Sequence, residues 1–159
     1  MKFFTIGVFN STEKEFFSKL AENRIDTFCD IRQRRGVRGS KYAFVNSTRL
    51  QEKLSELGIH YLYVGELAPT TEIRQVQTEI DLKKHETKTQ RQILDKSFTT
   101  AYKKGILNKF DFQSFFESMA QIGSQRVVLF CVEESAAACH RSLVSEKLDH
   151  DFHFAVTHL

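Results

Sequence analysis

Five short runs of β-branched and aromatic residues, most of them followed by a turn and a stretch of helical periodicity, constrain this chain more than any other feature. The first run, Lys2 to Phe9, leads through Asn10-Ser11-Thr12 into a helix expected over about Glu13 to Glu22, with Phe16, Phe17 and Leu20 as its buried stripe. Ile25 to Ile31 reads as a second strand. The spacing of Leu50, Leu54 and Leu57 marks a helix from Ser47, stopped by Gly58, and Ile59 to Val64 follows as a third strand. Arg126 to Val132 is the most hydrophobic run of all, as befits a central strand buried on both faces. A helix beginning at Ser135-Ala136-Ala137-Ala138, with Leu143, Val144 and Leu148 turned inward, leads to a terminal strand at Phe152 to Val156. Alternation of this kind predicts an α/β fold in three layers, a mostly parallel central sheet with helices on both faces and right-handed crossovers.

Between about 70 and 122 the strand runs disappear. Glu72 to Lys104 is charge-dense with scattered apolar residues, and Asp111 caps a stripe of Phe112, Phe115, Phe116 and Met119. A helical insertion is expected there, part of it lid-like. With 159 residues, no internal repeat and no interdomain linker, one domain over 1–159 is expected. A single proline, seven glycines and 12% aromatic residues argue against disorder. Three cysteines without framework spacing, and no apolar run of membrane-spanning length, fit reduced thiols in a cytoplasmic protein with no membrane partner. The net charge is only +3, so any preference for anions must come from clustering.

Ligands of open parallel sheets bind outside the carboxyl ends of the strands, and the residues just past these strands are polar. Asp30 and Arg32 follow the second strand, Glu66 the third, and Glu133 the fourth, with Cys139-His140-Arg141-Ser142 shortly after. Arg32, Arg34, Arg35, Arg38 and Lys41 form a basic loop backed by Tyr42 and Phe44. Guanidinium groups bind phosphate bidentately and aromatic rings stack on bases, so the loop suits a nucleotide, a nucleic acid or another phosphorylated ligand. Its structural alternative is a solvated basic loop. Arg141, at a helix start, is expected to bind an anion together with helix amides, or else to pair with Glu133 or Asp30.

Asp30 and Glu133 are candidate general acid/base groups or metal ligands. A cysteine at a helix start has its thiolate favoured, which makes Cys139, with His140 as base, a candidate nucleophile for sulfur or acyl transfer; the alternative is a small buried hydrophobe. Cys29 and Cys131, inside expected strands, read as packing residues. Cys131, Glu133, Cys139 and His140 are all residue types that zinc accepts, but their spacing matches no paired-knuckle pattern and Cys131 would have to face the site. No metal and no cofactor are therefore assigned. There is no Walker or dinucleotide glycine loop, and Gly7 alone signals only a close backbone approach. A non-catalytic interaction module, with the charged insertion as its partner surface, stays open.

In these residues the chain resembles the family called domain of unknown function 488. The resemblance rests on Thr5-Ile6-Gly7, Asp30-Ile31-Arg32, Leu57-Gly58-Ile59-His60-Tyr61, Glu66-Leu67, and above all Cys131-Val132-Glu133 followed by Cys139-His140-Arg141-Ser142. It implies an α/β fold in which Asp30, Arg32, Glu133, Cys139, His140 and Arg141 line a shared pocket, and it brings no activity with it. The chain departs from the family pattern at Arg34-Arg35-Gly36, where many relatives carry a proline, and at Leu67-Ala68-Pro69-Thr70, where they carry a Gly-Gly. Loop identity sets ligand choice, so the departures imply a subgroup to which a function found elsewhere in the family need not carry over.

Overall fold

The structure is a computed structural model that describes residues 1–159. Five parallel strands, β1 (Lys2–Ile6), β2 (Thr27–Asp30), β3 (His60–Tyr63), β4 (Arg126–Phe130) and β5 (Val156–His158), form one sheet in the order β3-β2-β4-β1-β5. Alternate residues of the inner strands feed two apolar layers. Phe4, Ile6, Phe28, Val128 and Phe130 face helices α1 (Glu13–Glu22) and α2 (Ser47–Glu56), through Phe16, Phe17, Leu20, Leu50 and Leu54. Phe3, Cys29, Val127 and Leu129 face α4 (Lys96–Tyr102), α5 (Phe112–Gln121) and α6 (His140–Phe152). This is the expected three-layer α/β arrangement, and the sheet is parallel throughout.

Local chemistry sets the helix ends. Thr12 and Glu15 form a reciprocal capping box at the start of α1, and the side chains of Asp95 and Asp111 accept backbone N–H bonds at the starts of α4 and α5. Gly58, at φ +68°, lets the chain turn back after α2 into β3. The expected insertion is helical: α3 (Thr71–Lys83), α4 with a π-helical extension to Leu107, and α5.

Two boundaries differ from expectation at the carboxyl end. The alanine run forms only a 3-10 turn (Ala136–Ala138), and Cys139 is extended, at φ −137° and ψ 146°, so it is the N-cap of α6 rather than a residue of its first turn. Helix α6 then continues through Phe152, because inward Leu143, Val144 and Leu148 keep it on the sheet. His153 ends it in the left-handed region, which moves the last strand to Val156–His158.

The connections from β1 and β2 run over the α1/α2 face toward β3, whereas those from β3 and β4 run over the other face toward β5. Neighbouring strands β2 and β4 therefore send their chains to opposite sides. The crevice that opens at the carboxyl ends of such a pair is where α/β sheets bind ligands.

Candidate functional site

A cavity of about 540 Å³ occupies that crevice. Its walls come from the segments directly after β2 and β4 and from the insertion, which closes over them through α3 and the loop that follows it. Lining cations are Arg32, Arg34, Arg38, Arg74, Lys88 and Arg91, against three acidic residues, Asp81, Glu86 and Glu133. Phe9 and Tyr42, with ring centroids 5.4 Å apart, supply an aromatic patch on the same wall.

Past β2, Arg32 folds back on Asp30. Its Nε and Nη2 donate to Oδ1 and Oδ2 at 2.8 and 2.7 Å, the Tyr61 hydroxyl donates to Oδ2 at 2.9 Å, and the guanidinium lies 4.5 Å from the centre of the Phe130 ring. Asp30 is fully buried behind Arg32 and is not on the cavity wall, so it orients the arginine rather than facing a ligand. Burial and the charge of Asp30 push the Tyr61 hydroxyl up to about 12, which keeps it a donor. One guanidinium atom, Arg32 Nη1, is buried with no acceptor.

Past β4, Glu133 holds two cations. Lys88 Nζ and Arg91 Nη2 each lie 3.1 Å from its Oε1, while its Oε2 accepts from Cys131 Sγ at 3.2 Å. Arg91 also donates from Nη1 to Asp81 Oδ2 at 2.7 Å and from Nη2 to the Ala138 carbonyl at 2.9 Å, and Gln77 donates to Asp81 Oδ1 at 2.7 Å. This network fastens the insertion to the β4 loop. Burial pushes the Glu133 carboxyl up, but Lys88, the neighbouring Cys139 and the nearby His140 outweigh it and hold the group at about 2. Glu133 is ionised at neutral pH.

Behind Glu133 lies a buried cluster. His140 Nε2 is 3.1 Å from the Ile31 carbonyl, to which it donates, and this leaves Nδ1 as an acceptor facing Cys139 Sγ at 3.7 Å and Cys131 Sγ at 3.9 Å. The ligand atoms of the three residues lie within 4.8 Å of one another, so this is the set that could hold a metal ion. The neighbouring Cys139 and burial push the Cys131 thiol well up. Cys131 and His140 reach the cavity wall, whereas Cys139 is 1% exposed and does not.

Several residues singled out from the sequence stand elsewhere. Arg141 is 1% exposed and off the cavity wall; its Nη1 and Nη2 donate to the carbonyls of Glu133 and Glu134 at 2.5 and 2.6 Å, so it clamps the β4 loop and forms no ion pair with Glu133 or Asp30. Ser142 caps backward onto the Cys139 carbonyl. Glu66 is exposed on a turn after β3 and does not reach the cavity. Within the basic loop, Arg32, Arg34 and Arg38 line the cavity, while Arg35 stacks over Tyr63 at 4.4 Å and Lys41 over Tyr42 at 5.1 Å, both off the wall. Cys131 is the reverse case, since β4 ends at Phe130 and the strand alternation no longer fixes the direction of its side chain. Arg74, Asp81, Lys88 and Arg91 went unmarked in the sequence. The one signal for them was the Gln77/Asp81 spacing of four, which sets two polar side chains on one helix face.

Fold and site together define an α/β protein with a cation-rich cavity at the switch point of a parallel sheet. The model of the family described as domain of unknown function DUF488 matches residues 12–148, and the chain belongs to that family. No curated protein and no solved structure matches the chain.

Proposed function

We propose that the cavity binds a small phosphate-bearing anion, with a nucleotide as the best-fitting form. The phosphate lies among Arg32, Arg34 and Arg38, and the base lies against Phe9 and Tyr42. One observation carries this reading: a wall with twice as many cations as acids contains an arginine whose Nη1 is buried without an acceptor. A buried donor left unpaired costs about 1–3 kcal/mol, more for a charged group, and a ligand oxygen removes that cost. Arg34 and Arg38 are exposed and belong to no ion pair, so their donors are available to a ligand. The volume falls within the range of roughly 300–1,000 Å³ typical of small-ligand sites and favours a mononucleotide over a nucleic-acid strand. Cysteine-dependent transfer has no comparable support, because the Cys139 thiol is buried away from the wall.

The test is calorimetric titration with nucleoside mono-, di- and triphosphates, inorganic pyrophosphate and a short single-stranded oligonucleotide, each at several salt concentrations. Salt-sensitive binding of a nucleotide supports the reading. Binding of the oligonucleotide alone would replace it with a nucleic-acid site, and no binding of any probe at low salt would overturn it.

A further inference from the structure

We propose that Cys131, Cys139 and His140 form a binding site for a thiolate-seeking divalent cation, zinc being the cation whose chemistry the set fits, with a fourth coordination position turned to the cavity. The first argument is geometric. In a tetrahedral zinc site, with sulfur about 2.3 Å and imidazole nitrogen about 2.0–2.1 Å from the metal, a sulfur and a nitrogen stand about 3.6 Å apart. Here the two sulfur-to-nitrogen distances are 3.7 and 3.9 Å, so two of the three edges of the ligand triangle are already close to that length, and all three ligand atoms lie within 4.8 Å of one another.

The second argument is the histidine tautomer. Metal-bound imidazoles almost always give their other N–H to a carbonyl or carboxylate, which fixes the ring and aims the lone pair. Ile31, one residue past β2, supplies such a carbonyl to His140 Nε2 at 3.1 Å, and the free Nδ1 lone pair points at the two thiols. A histidine serving only as packing has no need of two sulfurs at its acceptor nitrogen.

The third argument is charge balance in a buried place. The neighbouring side chains already neutralise one another: Lys88 and Arg91 against Asp81 and Glu133. Capture of a dication by two thiols releases two protons as two metal–sulfur bonds form, so the net charge of the cluster does not change and no uncompensated charge is buried. Cys131 and His140 reach the cavity wall and Cys139 lies behind them, so the remaining position of a three-ligand site opens to the cavity beside the Glu133 carboxylate, as in zinc sites that bind substrate or water. The site is independent of what the cavity binds; a chain that takes up zinc but no nucleotide would refute the proposed function and leave this inference intact.

The test uses the full chain purified under reducing conditions without added chelator. Its metal content is measured, and the metal-stripped protein is then titrated with Co²⁺ alone while its absorption spectrum is followed. The expected result is one equivalent of cation per chain, thiolate-to-cobalt charge-transfer absorption in the near ultraviolet, and the intense visible bands of tetrahedral cobalt, all abolished by zinc. Cys139→Ser and His140→Gln should each weaken uptake by at least about tenfold, with Cys29→Ser as the control that leaves it unchanged. Should the ligand variants fail to fold, the wild-type spectrum decides alone. Absence of charge-transfer absorption, uptake that survives in folded Cys139→Ser, or a thiol count showing Cys131 and Cys139 joined as a disulfide in the freshly purified protein would each overturn the site.

Discussion

Arg141 illustrates how a residue marked by its motif acquires its role from groups the sequence does not spell. It looked like an anion ligand because helix starts attract anions, yet two of its guanidinium nitrogens are committed to the carbonyls of Glu133 and Glu134, and its Nε is buried without a partner. Backbone acceptors are carried by every residue, so no pattern of side chains announces them. Gly7 is the counterpart on the facing strand end, where a Cβ would sit 1.9 Å from the Glu133 carbonyl oxygen. The close approach that a lone glycine hinted at is real, and it lets the β1 and β4 ends lie together. Arg141→Ala should therefore lower stability, by on the order of 3 kcal/mol for two lost charged hydrogen bonds and the space left behind, with Arg141→Lys recovering only part. Gly7→Ala should cost about 1–3 kcal/mol or more through overpacking against backbone. Urea denaturation of both variants checks the pair; an unfolding midpoint unchanged by Arg141→Ala would show that the clamp contributes nothing.

At the scale of elements, the insertion is the least conventional part of the molecule. The buried positions of α3 are Gln77 and Asp81, not an apolar stripe, and a search for hydrophobic periodicity passes over such a helix. What holds it is the polar network from Asp81 through Arg91 to Glu133, and the Glu133 carboxyl, held down chiefly by Lys88, makes the insertion acid-sensitive. Glu133 is lowered from 4.5 to about 2 in the folded chain. A carboxyl depressed in this way gives its full stabilisation above about pH 4.5, and that contribution is lost as the pH falls from there toward 2. The shift corresponds to roughly 3 kcal/mol. Urea unfolding measured from pH 7 down to pH 3 should show the larger part of this loss, about 2 kcal/mol, in the wild type. Glu133→Gln should be less stable than the wild type at neutral pH, because Arg91 loses a buried partner, and should show a flatter acid limb. An equally steep limb in a folded Glu133→Gln variant would assign the acid sensitivity to other groups.

At the scale of the whole molecule, the class of fold was open to reading because alternation of strand and helix leaves few topologies once crossovers are right-handed. The strand order was not. Val127 to Phe130 pairs with Thr27 to Asp30 across about a hundred residues of chain, and only that pairing places the β2 and β4 ends side by side and defines the crevice. Sequence could name the polar residues past each strand, but which of them share a cavity depends on the pairing, which is why Glu66 falls outside and Arg91 inside. The division of labour that results is testable. Charges at the strand ends, Asp30 with Arg32 and Glu133 with Arg91, are paired and buried and sustain the fold; Arg34 and Arg38 are exposed on the loop, belong to no ion pair, and contribute field to the cavity. Replacing both loop arginines by serine should leave the urea midpoint within the equivalent of about 0.5 kcal/mol, as for ordinary surface substitutions. The same double variant should bind nucleoside phosphates more weakly than the wild type at low salt, and should show a shallower dependence of affinity on salt because fewer counterions are exchanged. Equal affinity and equal salt slope in the two proteins would remove the loop from the binding site and leave Arg32 as its only cation past β2.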